Sequence, residues 1–205
     1  MNQPDTAKKR VLVVEDEEQL LDGLSHNLVG AFDAVMRDRF VVCGSASKTY
    51  AMTGWRCGWM AGPKAVVDAA SALQSHETSN ANSIAQKAVL VALTGPQDCV
   101  TAMRDEYQAR RDALQRWLGD EEPRLSAVTP HGAFYLLPSV AAFLSPDRCP
   151  TSLDFAAGLL ERERVLVTPG EAFYAPGYIR LSYATSLERL REGTTRLIRF
   201  ARGLL

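Results

Sequence analysis

Residues 44–62 read GSASKTYAMTGWRCGWMAG, and this stretch decides how the rest of the chain is interpreted. Four glycines and several alanines and serines surround a single lysine, Lys48. Small residues of this kind let the backbone approach a bulky anion closely. Ser45 and Ser47 add hydroxyl donors, and Arg56 adds a planar cation whose geometry suits phosphate. The stretch therefore predicts an anion-binding site built around a lysine.

Lys48 is a candidate for covalent chemistry. An uncharged amine condenses with an aldehyde, and burial or nearby positive charge favours the uncharged form of lysine. The alternative is an ordinary solvated lysine in a loop, which is the usual state of this residue type. The small residues, the hydroxyls and Arg56 around Lys48 favour the reactive interpretation.

The pattern S-x-S-K-T-Y-A-M-T-G-W-R-x-G-W, which begins at Ser45, resembles the cofactor-attachment signature of the fold-type I, class I/II aminotransferases. These enzymes use pyridoxal 5'-phosphate (PLP). Within the family, the chain resembles the aspartate aminotransferases. By this resemblance Lys48 is the catalytic residue that bonds to PLP and later moves a proton. Ser45 and Arg56 match the phosphate ligands, and Ser47 lies in the same cofactor-binding loop. The resemblance implies an α/β fold, with the C-terminal part of a PLP-transferase large domain followed by an α+β small domain.

A second motif lies in residues 166–185, LVTPGEAFYAPGYIRLSYAT. Alternation along the predicted strand 178–183 places Tyr178, Arg180 and Ser182 on one face. One interpretation is an edge strand with Arg180 in water or in a structural ion pair. The segment also resembles the family motif PG-x-x-F…G-Y-x-R-L-S-x-A, and this resemblance implies that Arg180 binds the α-carboxylate of the substrate.

The first residues of the chain have two interpretations. Residues 10–14 (RVLVV) predict a buried parallel strand that ends in acidic residues, and residues 17–28 have helical spacing. In the family, a strand ending in D-E-x-Y precedes the lysine, and its aspartate pairs with the pyridine nitrogen of PLP. Asp16 matches that position by its spacing from Lys48, although Gln19 replaces the tyrosine.

The alternative is that residues 8–28, KKRVLVVEDEEQLLDGLSHNL, resemble the first strand and helix of a response-regulator receiver domain. Paired acids at the strand end bind magnesium in such domains. The residue types of this segment favour the receiver-like resemblance. The spacing between Asp16 and Lys48 favours Asp16 as a cofactor residue. The later phosphoacceptor aspartate of a receiver domain is missing here.

Hydrophobic periodicity predicts the remaining elements. The predicted helices cover residues 64–75, 83–94, 98–118, 152–163 and 186–203, with Ser83 and Ser186 as candidate N-caps. The predicted strands cover residues 40–43, 125–128, 133–137, 165–168 and 178–183. Strands that alternate with helices indicate an α/β or α+β organisation.

These elements suggest three parts. We expect an ambiguous strand–helix segment over residues 1–30, the C-terminal part of a PLP-binding large domain over 31–95, and an aminotransferase small domain over 96–205. Residues 76–93 and 130–138 also resemble segments of the family. The first half of a family member is expected to be absent from this chain.

Composition excludes several other classes of function. The 23 basic and 24 acidic residues give a net charge of −1, so a nucleic-acid partner is not expected. No apolar run is long enough for a membrane span, and the N-terminus lacks the apolar core of a secretory signal. The four cysteines are widely spaced, which predicts no metal site and suits a cytoplasmic protein.

The sequence therefore predicts PLP-dependent transamination between an amino acid, aspartate or a similar one, and a 2-oxo acid. A homodimer is expected if the chain folds, because family members share their sites between subunits. One alternative is a non-catalytic fragment, truncated or derived from a fusion. Another is a signalling protein that uses the receiver-like segment.

Overall fold

The computed structural model describes Val11–Val14 and residues 40–205. Asp16, Gln19 and the helix predicted over 17–28 lie outside the described residues. The chain forms two compact units, Met1–Thr101 and Ala102–Leu205, and each is described by itself.

The first unit contains a three-stranded sheet. Strand β1 (Val11–Val14) lies parallel to β2 (Phe40–Ser45), which pairs antiparallel with β3 (Gly58–Ala61). Val14 of β1 lies opposite Cys43 of β2, so the carboxyl ends of these two strands meet at one edge of the sheet. The predicted strands at 10–14 and 40–43 are confirmed, and β2 extends to Ser45.

Two helices follow the sheet in the first unit. Helix α1 covers Lys64–Glu77 and helix α2 covers Ser83–Thr94, as the periodicity predicted. The N-cap of α2 is Asn82 and not the predicted Ser83. Its Oδ1 atom accepts hydrogen bonds from the N–H groups of Ile84 (2.9 Å) and Ala85 (3.2 Å). Asparagine is among the best N-cap residues because it pairs these otherwise unsatisfied donors.

Helix α3 covers Asp98–Glu121 and passes from the first unit into the second. The predicted helix at 98–118 is confirmed, with one further turn at its end. The proposed division into parts 31–95 and 96–205 stays a prediction, since the compact units meet inside α3.

The second unit is built on a small antiparallel sheet. Strand β6 (Ile179–Ser182) lies between β4 (Tyr135–Leu136) and β5 (Thr168–Pro169). Helices α4 (Ser152–Glu163) and α5 (Leu187–Arg202) complete it, and Ser186 caps α5 as predicted, accepting a hydrogen bond from the Arg189 N–H. Together with the first unit, this mixture of helices and strands confirms the predicted α/β class.

The core of the second unit is formed by α3, α4, α5 and the sheet. Phe155 of α4 meets Phe200 of α5 edge to face, with ring centroids 5.1 Å apart. A Cβ atom at Gly158 would lie 2.9 Å from the Phe200 ring, so the glycine permits this close helix packing. Burial of such side chains supplies most of the free energy of folding. The fully buried members include Leu114, Leu125, Leu136, Phe155, Leu159, Ile179, Tyr183 and Leu197.

The strand predicted at 125–128 is wrong. Leu125 is buried in the core, whereas Val128 is 90% exposed, and the segment belongs to no sheet. The carbonyl of Ser126 accepts a hydrogen bond from the Ser139 N–H (2.8 Å), which ties the segment to the sheet without extending the ladder. The apolar run thus reflects the anchoring of Leu125 after α3. The strand predicted at 165–168 is similarly reduced to Thr168–Pro169.

Glu122 joins the end of α3 to the end of α5. Its carboxylate is buried and accepts hydrogen bonds from Arg124 (Nε 2.6 Å, Nη2 3.0 Å) and from Arg202 Nε (3.1 Å). The hydrogen bond from Arg124, followed by that from Arg202, lowers the pKa of Glu122 despite the opposing effect of burial. Folding therefore favours the ionised carboxylate.

We predict that Glu122→Gln lowers the free energy of unfolding at neutral pH and that this difference shrinks in acid. A lowered pKa contributes stability above the ordinary value of 4.5, and this stability is lost as the pH falls through the folded-state pKa. Denaturant titrations from neutral pH to about pH 3 measure the effect. Glu161→Gln, which removes the same charge at an exposed position of α4, is the control. A difference that stayed constant over this pH range would contradict the prediction.

Candidate functional site

Four of the predicted cofactor residues, Ser45, Ser47, Lys48 and Arg56, lie in or directly before one closed loop. The antiparallel pairing of β2 with β3 places Ser45 opposite Gly58, and the Ala46 N–H donates to the Cys57 carbonyl (3.3 Å). Residues 46–57 are therefore held at both ends. Ser47, Lys48 and Arg56 lie within this loop of the first unit. Ser45, the last residue of β2, lies directly before it.

The loop is closed tightly because two glycines allow close approach. A Cβ atom at Gly58 would lie 2.7 Å from the Gly44 carbonyl oxygen, and one at Gly44 would lie 2.6 Å from the Trp59 indole. Real Cβ atoms essentially never lie this close to another heavy atom. Ala46, the first residue of the loop, is buried. The small residues noted in the sequence thus serve the closure of the loop.

Lys48 lies in a turn at the start of the loop. The N–H of Tyr50 donates to the Ala46 carbonyl (3.3 Å), and the N–H of Ala51 donates to the Lys48 carbonyl (3.2 Å). The backbone of this turn is therefore fixed, while the Lys48 side chain is exposed. An amine presented in this way is accessible to an aldehyde ligand.

Ser45, directly before the loop, and Arg56, within it, can donate hydrogen bonds to a phosphate. Ser45 Oγ accepts a hydrogen bond from the Ser47 N–H (3.1 Å), which leaves the Ser45 hydroxyl hydrogen to be donated elsewhere. The Arg56 guanidinium donates through Nη1 to the Thr53 carbonyl (3.0 Å), and no carboxylate of residues 40–205 pairs with it. A hydroxyl, a guanidinium and an amine on one loop fit the phosphate and the aldehyde of PLP.

Arg180 lies in the middle strand of the second sheet. Its neighbours Ile179 and Leu181 are buried, while Arg180 is half-buried and Ser182 exposed, so the predicted alternation is confirmed. The interpretation as an edge strand is wrong, because β6 is paired on both sides. Among the ion pairs of residues 40–205, none includes Arg180, so a structural salt bridge within this part of the chain is not its role.

Two aromatic rings flank the guanidinium of Arg180. Its Cζ atom is 4.3 Å from the centroid of the Tyr135 ring and 4.4 Å from that of the Phe173 ring. Its Nη2 atom also donates to Thr168 Oγ1 (3.4 Å). Tyr135 belongs to β4 and Phe173 follows β5, so the rings come from opposite sides of β6. Each cation–π contact of this kind contributes about 0.5–2 kcal/mol.

The sequence did not assign Tyr135 and Phe173 to the surroundings of Arg180, although both stand in segments that resemble the family. The sequence signal for Tyr135 was its place in the predicted strand 133–137. In the structure, its register opposite Ser182 places it diagonally across from Arg180 on the same face of the sheet, a separation that aromatic side chains can span. No comparable signal existed for Phe173, because it lies in a 3₁₀ turn, Gly170–Phe173.

Asp16, the remaining predicted cofactor residue, lies outside the described residues. Within the described part of the chain, no group of three His, Cys, Asp or Glu side chains is arranged to hold a metal ion. Nor does any helix in that part have the length and apolar character that crossing a membrane requires.

The fold agrees with the comparisons. Residues 8–197 match the sequence family described as Aminotransferase class I and II. The chain belongs to this family. A relative, the aspartate aminotransferase of Geobacillus stearothermophilus, is 40% identical over 193 residues, which are 93% of this chain and 49% of that protein. The aspartate aminotransferase of Streptomyces avermitilis is 45% identical over 166 residues, 79% of this chain and 40% of that protein.

A solved structure extends the similarity to three dimensions. The crystal structure of the aspartate aminotransferase from Rhizobium meliloti superposes with a TM-score of 0.78 at 38% identity. The superposition covers 83% of this chain and 44% of that one. The chain thus spans about half the length of the relatives that it matches.

We predict that Gly58→Ala destabilises the first unit by about 1–3 kcal/mol, because its Cβ atom would press on the Gly44 carbonyl and open the base of the loop. Gly54→Ala is the matched control, since a Cβ atom there meets nothing within 4 Å. Thermal unfolding of the two variants measures the difference. Equal stability of both variants would show that the closure of the loop does not depend on Gly58.

Proposed function

We propose that this chain contributes to PLP-dependent transamination between an amino acid and a 2-oxo acid. The observation that carries the proposal is the closed loop 46–57, in a chain that belongs to the class I and II aminotransferases. This loop and its first anchor residue hold Ser45, Lys48 and Arg56, whose side chains are an alcohol, an amine and a guanidinium. These are the groups that a phosphorylated aldehyde requires.

Each loop residue has a distinct proposed task. Ser45 donates its hydroxyl hydrogen, and Arg56 its N–H groups, to the phosphate oxygens of PLP. Lys48 would hold the aldehyde end of PLP through Nζ, with the aldehyde oxygen leaving as water, and its amine would accept and return a proton at Nζ. Ser47 supports the loop through its backbone N–H, which orients the Ser45 hydroxyl. When bound, PLP supplies an electron sink for the bonds of the substrate α-carbon.

Arg180 is proposed to bind the α-carboxylate of the substrate. A guanidinium offers parallel N–H donors that match the two oxygens of a carboxylate. The half-buried position of Arg180, and the lack of an ion-pair partner among residues 40–205, support this assignment.

Asp16 is proposed to pair with the pyridine nitrogen of PLP. It follows Val14 by two residues in the sequence, and the carboxyl end of β1 lies beside that of β2, which leads into the Lys48 loop. The family match begins at residue 8 and so includes this segment. Both observations support the aminotransferase interpretation of the first residues over the receiver-like one.

The proposed amino donor is aspartate or a similar amino acid. Relatives that are named aspartate aminotransferase support this assignment, since several of them match more than nine-tenths of the chain. A relative named for N-acetyl-LL-diaminopimelate is also among them, so the family resemblance does not choose one donor.

A homodimer is proposed for the assembled protein. Arg56 lines an open groove of about 1250 Å³ in the first unit, whose other walls include apolar residues of α2. Large apolar side chains are exposed on helices α1 and α2, and burial against a second copy would remove them from water. They are Val66, Leu73, Ile84, Leu90, Val91 and Leu93. Sedimentation analysis that found only a monomer would count against this assembly.

We predict that PLP forms a covalent adduct with Lys48 that borohydride makes permanent. The purified chain is mixed with PLP, reduced and digested, and the modified peptide is identified by mass spectrometry. Lys48→Ala should lose the adduct. Lys87→Ala, which removes an exposed lysine of α2, should retain it. An unmodified chain, or equal labelling of both variants, would favour the interpretation as a non-catalytic fragment.

A further inference from the structure

Ser152 is fully buried at the first position of α4, yet it is not the cap of that helix. Thr151 caps the helix in a reciprocal capping box with Asp154. The Ser152 hydroxyl instead bonds outside the helix. It donates to Glu171 Oε1 (2.7 Å) and accepts from the Gly177 N–H (2.9 Å). Because a backbone N–H can only donate, the single hydroxyl hydrogen of Ser152 must go to Glu171.

The Glu171 carboxylate accepts hydrogen bonds from the first residues of α4. Burial raises the pKa of Glu171, but hydrogen bonds from the Ser152 hydroxyl and from the N–H groups of Glu171, Leu153 and Ser152 outweigh it and lower the pKa. The N–H groups of Ser152 and Leu153 have no acceptor within the helix, and a carboxylate at a helix N-terminus is favourable. Glu171 is thus anchored as an anion.

Phe173 lies close to the anchored Glu171 in the chain. Both belong to the 3₁₀ turn Gly170–Phe173, so Phe173 follows the anchor by two residues. The turn is tight, because the Gly170 N–H donates to the Tyr178 carbonyl (2.8 Å). A Cβ atom at Gly170 would lie 1.9 Å from the Ala175 carbonyl oxygen. The Phe173 ring is 41% exposed, so packing alone restrains it little.

We propose that Ser152 and Glu171 form a latch that holds Phe173 against Arg180 and thereby sets how strongly Arg180 binds a carboxylate. The latch rests on the proposed role of Arg180 in carboxylate binding. Ser152 and Glu171 are positioning residues in this scheme, since they act through Phe173. The guanidinium must keep its plane fixed to offer two parallel hydrogen bonds, and the flanking ring restricts that plane.

For the loss of Glu171, the latch predicts weaker carboxylate binding, whereas charge alone predicts tighter binding. Loss of the Glu171 carboxylate makes its surroundings more positive, so on charge alone anion binding would tighten. Loss of the latch frees Phe173 and weakens the binding. Glu171→Ala removes the whole side chain, whereas Glu171→Gln keeps an oxygen that accepts from Ser152. The latch therefore ranks carboxylate affinity as wild type first, Glu171→Gln second and Glu171→Ala last.

The test is a titration of the full chain with maleate, followed by NMR of the Arg180 Nε–Hε signal, which Arg180→Lys assigns. We expect the dissociation constant for maleate to rise about three- to tenfold in Glu171→Ala, the size of one lost cation–π contact. Phe173→Leu should match it. Glu161→Ala, which removes an exposed carboxylate of α4, should leave the constant unchanged. The Arg180 signal itself should shift in Glu171→Ala without maleate, because the ring current of Phe173 is lost.

An unchanged Arg180 signal together with equal or tighter maleate binding in Glu171→Ala would overturn the latch. If maleate leaves the Arg180 signal of the wild-type chain unmoved, the proposed carboxylate role of Arg180 fails. The ligand-free Arg180 signal of Glu171→Ala then still decides the latch, since a shift towards its position in Phe173→Leu supports it and no shift overturns it. The backbone amide spectrum checks the fold, and Glu171→Gln gives the decision if Glu171→Ala does not fold.

Discussion

The proposed cofactor site depends on one backbone constraint, the antiparallel pairing that closes residues 46–57 at the base. The bond from the Ala46 N–H to the Cys57 carbonyl continues the ladder of β2 and β3 past its last paired residues. Without this closure, Arg56 would lie at the far end of a free segment, and the entropy of ordering it would oppose phosphate binding. The ladder brings the two ends of the loop together, with Ser45 before its start and Arg56 near its end, and the glycines of both strands make the ladder possible.

The second unit fixes Arg180, the arginine proposed to bind carboxylate, by different means. Arg180 lies on a paired strand, where the ladder determines its backbone, and its charged group lies over two aromatic rings. Aromatic faces stabilise a cation without neutralising it, so the guanidinium keeps its charge for a ligand. A carboxylate partner inside the protein would have satisfied the same cation and reduced its use in binding. Arg56 in the loop of the first unit and Arg180 on β6 of the second unit are thus unpaired with any carboxylate of residues 40–205.

The sequence predicted those features that local patterns determine. Helices α1 to α5 were located by their periodicity, and the alternation around Arg180 was correct, because both depend on residues close in the chain. The strand predicted at 125–128 was wrong because tertiary packing used Leu125 as a loop anchor. Phe173 was missed because its contact with Arg180 depends on a turn that α4 holds from a distance, which periodicity does not encode. Asp16 stays a prediction.

PLP is proposed to bind at Lys48, with its phosphate on Ser45 and Arg56. A crystal structure of the chain grown with PLP is the decisive experiment. We expect density continuous with Lys48 Nζ and a phosphate group within hydrogen-bond distance of Ser45 Oγ and the Arg56 guanidinium. PLP bonded to another lysine, or bound at Lys48 with its phosphate directed away from Ser45 and Arg56, would contradict it.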